Sequence, residues 1–281
     1  MLAATTMLSE CRQGLAKMRP AAGTQAPPDD LTVIITTSPT PSNPSLDCFE
    51  FLMETFQKVP PLVACRKIIC CDGCKIIDGD RCYFRAGQVS EEALGLYSEY
   101  MEDLQDRVSL AATDPTDAFF NSELLRLDER QGFGFAVKCA LKSVKTRFVI
   151  VVQHDRVFQK SFDLYELLEN MRASPDELKF VCLSNASVLN YAHKCKSRFR
   201  VDIKPFERQY KGHRLLPMLQ WLDSTHVAET EWYRNFVFNP KFKLVKKGGF
   251  IEDKFGQAQV KKLEEKGFPE GWAPFNTWLY C

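Results

Sequence analysis

The stretch QGFGFAVKCALKSVKTRFVIVVQHDRVF, residues 131 to 158, decides the fold. Its two glycines, Gly132 and Gly134, introduce apolar residues at the spacing of one helix face, namely Val137, Ala140, Leu141 and Val144. The apolar run from Phe148 to Val152 follows, and its β-branched residues predict a strand that is covered on both faces. The strand ends in Gln153-His154-Asp155-Arg156. Open α/β sheets bind ligands at such strand ends, so this stretch predicts a site as well as a fold.

The segments that precede this stretch alternate between strand and helix patterns. Leu31 to Thr36 predicts a first strand, Lys67 to Cys71 a second, and Val108 to Ala112 a third, shorter one. Asn43-Pro44 is typical of a helix start, and Ser90 with two following glutamates is typical of another. Two apolar stripes continue these helices: Phe49, Leu52, Met53 and Phe56 in the first, and Ala93, Tyr97, Tyr100 and Leu104 in the second. The alternation predicts one α/β domain whose central sheet is mostly parallel and flanked by helices.

Regularity weakens after residue 160. A helix is predicted around Leu164 to Met171, a strand from Phe180 to Leu183, and a late helix that ends at Lys266 with Gly267 as its C-cap. Between them, His193 to Arg214 carries eight Lys and Arg residues and shows no clear period. Such a run is typical of a solvated face or a mobile loop. The functional alternative is a loop that closes over a phosphate-bearing ligand.

Composition sets further limits. The 281 residues are 45% hydrophobic, which is enough for one large core, and 37 basic against 36 acidic residues give a net charge of +1. This balance does not indicate a nucleic-acid partner or an anionic membrane, and no apolar run reaches the roughly 18 residues of a transmembrane helix. Residues 1–30 resemble a transit peptide or a disordered tail. We therefore expect a soluble cytoplasmic or intracellular protein, with organellar targeting by residues 1–30 as the alternative.

The cysteine content raises the question of a metal or disulfide framework. Of the 11 cysteines, five lie between Cys65 and Cys82, and Cys71-x-x-Cys74 has the spacing of half a zinc site. A second half is missing, because no later C-x-x-C or H-x-x-x-H completes the set. Mostly buried, reduced thiols are therefore the favoured interpretation, and structural zinc is the minor alternative.

The ordered motifs resemble a known family. A strand ending in Thr/Ser/Pro, a strand ending Cys71-Asp72-Gly73, Gly-Phe-Gly-x-Ala before a helix, an Asp-containing triplet after an apolar strand, and a late Gly-Gly-Phe-Ile-Glu-Asp follow one another over residues 31–262. This order is similar to that of the GT-A-type nucleotide-sugar glycosyltransferases, the family-two-like branch in particular. The resemblance implies a GT-A-like domain over residues 31–281, with a nucleotide-sugar-binding part at 31–160 and an acceptor-side part at 161–281.

The resemblance also implies roles for individual residues. The nucleotide-sugar donor would be bound by Thr36, Thr37, Ser38, Asp72, Gly132, Gly134, Gln153 and His154. Asp155 would be the ligand of a divalent cation, Mn²⁺ or Mg²⁺, which neutralises the departing diphosphate. Asp253, with Glu252 as its substitute, would take the proton of a hydroxyl acceptor, which is a glycan, a protein or a small molecule. Weaker acceptor contacts are expected from Trp221, Asp223 and His226.

One departure from the family pattern bears on activity. Gln153 stands where the first aspartate of the triplet is expected, so the site lacks one carboxylate ligand for a hard cation. A non-catalytic GT-A-like protein that binds nucleotides is therefore an alternative, while Asp155 and the Glu252-Asp253 pair favour an enzyme. Simpler interpretations also stay open, since Asp155 is typical of a turn and Glu252-Asp253 of the first turn of a helix.

A second alternative is an NAD(P)-dependent oxidoreductase. Gly132-x-Gly134, the helix, the strand and then Asp155 imitate the dinucleotide-binding fingerprint. Two features count against it: Val137 stands in place of the third glycine, and the charged residues Asp128 to Arg130 stand where a buried strand should lead into the turn.

Overall fold

The computed structural model describes residues 26–183, 188, 190–210 and 212–281. Most of the predicted tail, residues 1–30, lies outside these ranges. Strands within them are β1 (Leu31–Thr37), β2 (Arg66–Cys71), β3 (Lys75–Ile76), β4 (Gln88–Val89), β5 (Ser122–Arg126), β6 (Phe148–Gln153), β7 (Phe180–Cys182), β8 (Arg208–Tyr210), β9 (His213–Pro217), β10 (His226–Glu229) and β11 (Thr277–Tyr280). Helices are α1 (Asp47–Glu54), α2 (Pro61–Ala64), α3 (Glu91–Ala111), α4 (Phe133–Leu141), α5 (Leu164–Ala173), α6 (Tyr191–Phe199), α7 (Thr230–Trp232) and α8 (Gln257–Lys266).

Nine of the described strands form one sheet in the order β5-β2-β1-β6-β10-β7-β11-β9-β8, while β3 and β4 form a separate parallel pair. β5, β2, β1 and β6 are mutually parallel. β10 lies antiparallel between β6 and β7, and β11 pairs parallel with β7 and antiparallel with β9. The prediction of an α/β domain with a mostly parallel central sheet flanked by helices is confirmed. We call β5, β2, β1 and β6 the parallel half, and β10, β7, β11, β9 and β8 the mixed half.

The parallel half forms where the apolar pattern predicts it. All seven residues of β1 are buried, and so are the five apolar residues at the start of β6, because both strands are covered on both faces. Helix α4 buries the predicted stripe, and Val144 just beyond it is buried as well. Helix α3 begins as expected, since the Ser90 hydroxyl accepts a hydrogen bond from the Ala93 N–H.

Two predicted boundaries in the parallel half are wrong. Val108–Ala112 is not a strand, because α3 continues to Ala111 and buries Leu104, Val108 and Ala111 at helical spacing. The strand that pairs with β2 is β5, a segment for which no strand was predicted. Asn43 does not cap α1 either: its side chain accepts a hydrogen bond from the Thr40 N–H at 2.7 Å.

A lysine lies inside the parallel half. Lys67 of β2 is 0% exposed, and its ammonium group donates to the carbonyl oxygens of Val63, Cys65 and Phe120 at 2.6, 3.0 and 2.9 Å. Burial lowers its pKa to about 8, so the group remains charged at neutral pH. The ammonium satisfies three carbonyl oxygens where α2, β2 and the loop before β5 meet.

The mixed half is organised around an aromatic cluster. Trp221 is fully buried, and its ring lies 4.1 Å from that of Phe180 and 5.2 Å from that of Phe255, measured between centroids. Tyr233 and His226 complete the contact shell. Such a cluster buries a large apolar area, and this burial stabilises the half of the sheet in which the strands are short.

The basic segment His193–Arg214 is not the mobile loop that its composition suggested. Most of it forms helix α6, strand β8 and the start of β9, with Lys211 outside the described residues. Within the described part of the chain, no helix has the length and apolarity needed to cross a membrane.

Candidate active site

A cavity of about 130 Å³ opens at the carboxyl ends of β1, β2 and β6. Its lining comprises Thr36, Thr37, Ser38, Asp72, Gly73, Phe84, Arg85, Gly87, Arg130, Gly132, Phe133, Ala136, Gln153, His154, Gly248 and Phe250. Seven of the eight residues expected to bind a donor are therefore together, and Gly134 lies behind the lining. The position follows from topology, since the carboxyl ends of parallel strands meet at one edge of the sheet.

Strand β1 ends in Thr36 and Thr37, which line the floor of the cavity. The Thr37 hydroxyl is hydrogen-bonded to the Tyr100 hydroxyl at 3.0 Å, and the Tyr97 hydroxyl donates to the Asp72 carbonyl oxygen at 2.9 Å. The two tyrosine rings stack with centroids 5.8 Å apart. Helix α3 thereby holds the ends of β1 and β2 in a fixed relation.

Asp72 connects the end of β2 to the glycine turn before α4. One carboxylate oxygen accepts the Gln131 N–H at 2.7 Å, and the other accepts the Gly132 N–H at 2.8 Å. Burial raises the pKa of Asp72, while these two N–H donors and the nearby Arg130 charge act in the opposite direction. The observed role of Asp72 is to shape the turn, and the Gly73 N–H is a third backbone donor that favours its ionised form.

The two glycine motifs, far apart in sequence, pack against each other. Gly132 has φ of 75°, and a Cβ there would lie 2.5 Å from the Gly248 carbonyl carbon. The Gly134 N–H donates to the Gly249 carbonyl oxygen at 3.2 Å, and the rings of Phe133 and Phe250 stack with centroids 5.8 Å apart. Only glycine fits at position 132, because a side chain would be strained by the backbone and would also clash.

The edge of β6 differs from what a cation site needs. The Gln153 side-chain amide donates to the Asp223 carbonyl oxygen, and the His154 N–H donates to the Thr36 carbonyl oxygen. Burial lowers the pKa of His154, so it is neutral at pH 7. Asp155 points outward with its side chain 57% exposed, and its carboxylate lies 3.9 Å from the Arg156 guanidinium.

This donor set does not fit a divalent cation held by the protein alone. The described residues contain no group of three or more His, Cys, Asp or Glu side chains that could hold a metal ion. Mn²⁺ and Mg²⁺ prefer several oxygen ligands, whereas Asp155 is the only carboxylate of the Gln153-His154-Asp155 triplet. Cys71 and Cys74 have no metal partners either: Cys71 is fully buried in β2, and Cys74 is half-buried beyond its end.

A carboxylate pair lies behind Gln153. The Asp223 N–H donates to the Glu252 carboxylate at 3.2 Å, and the Glu252 N–H donates to the Asp223 carboxylate at 3.1 Å. The other Asp223 oxygen accepts the Trp221 indole N–H at 2.9 Å. Burial raises the pKa of Asp223 to about 7, and the neighbouring charges of Glu252 and Asp253 add to the effect. This reciprocal bonding fixes the position of the Glu252 carboxylate, which, like that of Asp253, does not line the cavity.

Asp253 and the expected acceptor residues have different surroundings. Asp253 is exposed, and its carboxylate accepts the Phe250 N–H at 3.2 Å, which closes the turn that leads into the π-helical segment Glu252–Gly256. Trp221 and His226 are 0% exposed. Both His226 ring nitrogens have partners, the Ser224 carbonyl oxygen at 2.7 Å and the Tyr233 hydroxyl at 3.0 Å. Trp221 and His226 therefore pack in the core of this structure and present no surface to an acceptor.

Among the cavity residues that sequence reasoning missed are both of its arginines, Arg85 and Arg130. Arg85 lies in the 3₁₀ turn Phe84–Ala86, and Arg130 immediately precedes the glycine turn. A basic residue beside a glycine turn at a strand end was the available signal, because such turns bind phosphate groups. In the sequence, Arg130 belongs to the charged segment Asp128 to Arg130, which was used only as an argument against a dinucleotide-binding fold. That alternative also loses its geometric basis, since β5 ends at Arg126 and a loop separates it from α4.

Comparison with known proteins supports the fold. No family model matches the sequence, and no curated protein matches it. The structure of GalNAc-T7 with UDP, GalNAc and Mn²⁺ superposes with a TM-score of 0.50 at 9% identity, over 89% of this chain and 41% of that chain. The mannosyltransferase PcManGT from Pyrobaculum calidifontis in complex with GDP-Man and Mn²⁺ superposes with a TM-score of 0.47 at 12% identity, over 99% of this chain and 64% of that chain.

This chain therefore spans 41% and 64% of the two solved chains. With the strand order and the cavity at its parallel edge, the likeness defines the fold class: it is GT-A-like, the fold of nucleotide-sugar glycosyltransferases.

Proposed function

We propose that this protein transfers a sugar from a nucleotide-sugar donor to a hydroxyl acceptor. The observation that carries the proposal is the cavity at the carboxyl ends of β1, β2 and β6 in a GT-A-like sheet, where residues expected to bind a donor converge. A solved structure of the same fold, GalNAc-T7, contains UDP and GalNAc, which supports a nucleotide-sugar as the ligand here. The two parts of the chain, 31–160 and 161–281, would contribute the donor and acceptor sides, although Gly248 and Phe250 of the second part also line the cavity.

In this proposal the cavity floor binds the nucleotide. Thr36 to Ser38 and Asp72 would contact the base and ribose, and the turn at Gly132 would let the backbone approach the phosphates closely. The stacked rings of Phe133 and Phe250 offer an apolar face beside that turn. A flat base or sugar ring fits such a face.

The acceptor hydroxyl must lose its proton to a base. Two carboxylates are candidates: Glu252, which is half-buried and locked to Asp223, and Asp253, which is exposed. Glu252 is better positioned for precise geometry, whereas Asp253 is freer to reach an incoming acceptor. The family resemblance favours Asp253, and we keep it as the proposed base with Glu252 as the competing candidate.

One observation favours a divalent cation at this site, and others disfavour it. GalNAc-T7 was solved with Mn²⁺, which favours one. The residues at the edge of β6 disfavour a site made by the protein alone, as Gln153 is bound to Asp223 and Asp155 faces outward. We therefore derive no chemical step through a cation.

The experiment that tests the function measures nucleoside diphosphate release from UDP- and GDP-sugars, with and without sugar acceptors. We expect release with one donor class, and we expect Asp253→Asn to lower kcat about a hundredfold or more, since a positioned base contributes 10²–10⁴-fold. Glu264→Gln, a change at an exposed glutamate of α8, is the control and should leave the rate unchanged. If Glu252→Gln abolishes release while Asp253→Asn does not, Glu252 is the base.

A non-catalytic nucleotide-binding protein is the second candidate, and Gln153 in place of a carboxylate favours it. Binding of a nucleoside diphosphate without release of sugar from any donor would establish it over the transferase. Binding of NAD⁺ alone would contradict both.

A further inference from the structure

The cavity contains two guanidinium groups and few carboxylates. Of the described residues that line it, Arg85 and Arg130 are the permanent cations, and Asp72 is the acid. We propose that Arg85 and Arg130 bind the diphosphate of the nucleotide and supply the positive charge that a divalent cation would otherwise supply, so that nucleotide binding persists without a metal. The inference rests on the proposed function for the identity of the ligand.

Arg130 is held rigidly at the cavity wall. Its guanidinium donates to the Gly248 carbonyl oxygen at 2.9 Å, and the aliphatic part of its side chain lies against Gly87. Among the residues that the structure describes, no carboxylate forms an ion pair with it, while its charge is close enough to Asp72 to lower the pKa of that carboxyl. An arginine has five N–H donors, so most of them remain for an anion after the bond to Gly248. A pre-positioned guanidinium loses less freedom on binding a phosphate than a mobile one does.

Arg85 lines the same cavity from the loop that packs, at Gly87, against the Arg130 side chain. It is exposed in the turn Phe84–Ala86, two residues before Gly87, and within the described chain its side chain has no hydrogen-bond or ion-pair partner. Arg81, four residues earlier, is also exposed, but it lies over the Tyr83 ring at 5.1 Å and does not line the cavity. The turn therefore presents one arginine to the cavity and keeps the other away from it.

Helix α4 adds to the positive field. Its first turn, with Phe133 and Ala136, borders the cavity, while the Gly132 N–H is bound by the Asp72 carboxylate and the Gly134 N–H by the Gly249 carbonyl oxygen. The partial positive charge of a helix N-terminus favours an anion there. Asp72 opposes this field, but its two oxygens already accept the Gln131 and Gly132 N–H groups. The balance of charge at the cavity is cationic, as a diphosphate requires.

The edge of β6 lacks the carboxylates that a metal ion needs, whereas the loops around Arg85 and Arg130 supply positive charge. A metal would need carboxylates near the phosphates, but Gln153 faces Asp223 and the single carboxylate of the triplet, Asp155, is turned toward Arg156. The cationic groups lie instead on the opposite wall, in the loops around Arg85 and Arg130. One planar guanidinium group can bind two phosphate oxygens at once. Its positive charge can therefore take the place of the charge of a metal ion.

The test is calorimetric titration of the full chain with UDP, GDP and inorganic pyrophosphate, in chelator and in Mn²⁺. For the wild type we expect a nucleoside diphosphate to bind in chelator with a Kd within about threefold of that in Mn²⁺. Arg85→Gln and Arg130→Gln should each weaken binding about tenfold to a hundredfold, the effect of losing one charge-assisted bond. Arg81→Gln is the matched control, from the same segment and with the same change of charge, and should bind as the wild type does.

Two further measurements keep the outcome decisive. Since Arg130 also donates a hydrogen bond to Gly248, Arg130→Gln is compared with Arg130→Lys in thermal unfolding and in binding. If Arg130→Gln does not fold, the binding of nucleotide by Arg85→Gln tests the inference, because the Arg85 side chain has no structural partner among the described residues. The salt dependence of binding should weaken in Arg85→Gln and not in Arg81→Gln.

The results separate this inference from the proposed function. Nucleotide binding that requires Mn²⁺, or equal binding by Arg85→Gln, Arg130→Gln and wild type, overturns the arginine site even if sugar transfer occurs. Binding of nucleoside diphosphate and pyrophosphate in chelator that both arginine variants weaken, without sugar release from any donor, supports the arginine site and overturns the transferase.

Discussion

The parallel and mixed halves of the sheet bury similar residues but reach their order in different ways. In the parallel half, β1, β2 and β6 are connected through helices and pair in parallel, although the pairing of β1 with β6 joins Leu31 to the distant Phe148. In the mixed half, β10 is inserted between β6 and β7, and the C-terminal β11 is inserted between β7 and β9. The first arrangement follows from local alternation of strand and helix. The second combines parallel and antiparallel pairings in an order that alternation of strand and helix does not predict.

This difference has a functional counterpart. The cavity floor is built from the ends of the parallel strands, whereas Gly248, Phe250 and the Asp223–Glu252 pair come from the other part of the chain. Donor binding should therefore depend mainly on the parallel half, and catalytic geometry on the fit between the two halves. The variants below test how strongly the halves depend on each other.

The largest effect is expected from Trp221→Ala in the mixed half. It removes the ring that contacts Phe180 and the indole N–H that Asp223 accepts, so the free energy of unfolding should fall by about 4 kcal/mol. Urea unfolding measures this loss of free energy. Phe242, which is 60% exposed, provides the control: Phe242→Ala should change the free energy of unfolding by less than about 0.5 kcal/mol. Because β6 pairs with β10, we expect one cooperative transition. Two transitions, or preserved hydrogen-exchange protection in β1, would show that the halves fold separately.

Lys67→Met tests the parallel half. The substitution leaves three buried carbonyl oxygens without a donor, and we expect a loss of about 3 kcal/mol in unfolding free energy. Lys145→Met, the same change at an exposed lysine, is the control. An effect no larger than that of the control would mean that this buried ammonium does not support the junction of α2, β2 and β5.

Gly132→Ala tests the contact between the two glycine motifs. The positive φ and the clash with Gly248 predict a loss of about 2 kcal/mol and weaker nucleoside diphosphate binding. Gly95→Ala provides the opposite control, because a Cβ there meets nothing within 4 Å and position 95 lies inside α3. It should raise the unfolding free energy by roughly 0.5 kcal/mol. Unchanged binding in Gly132→Ala would contradict the close approach of this turn to the ligand.

The smallest effect concerns pH. The folded-state pKa of Asp223, about 7, lies above its ordinary value of 3.8, so the folded protein binds more protons between these values. The contribution of Asp223 to stability is full below about pH 4 and is lost as pH rises toward 7. From pH 5 to 6 this group should lower the unfolding free energy by about 1 kcal/mol. Asp223→Asn should remove that part of the pH dependence, and an identical slope in wild type and variant would refute the assignment.

Several elements were predictable for a local reason. Buried β-branched runs gave β1 and β6 within one residue of their observed ends, and Ser90 marked the start of α3 because its hydroxyl caps the helix. The continuation of α3 through Val108 was missed, since a short apolar run fits either a strand or the end of a helix. The basic segment was predicted in part: its charge indicated a solvated face, which α6 presents with only Tyr191 and Cys195 buried, but charge without a clear period did not predict the helix.

The site was predictable only in part. Strand ends identified Thr36 to Ser38, Asp72 and Gln153-His154, because topology brings the ends of parallel strands together. Arg85 and Arg130 were missed, as their approach to the cavity depends on loops that pack through Gly87 and Gly248. His226 was expected near an acceptor, yet its neighbours Ser224 and Tyr233 engage both ring nitrogens in the core. A histidine has no signature in sequence that separates these roles.

The sequence by itself determined the class of fold and the edge of the sheet where the cavity opens, because alternating strands and helices restrict a chain to few topologies. Tertiary structure alone decided the insertion of β10 and β11, the locking of Glu252 by Asp223, and the hydrogen bond from the Gln153 side chain to the Asp223 carbonyl oxygen. These features depend on contacts between residues 29 or more positions apart, whose geometry no local pattern encodes.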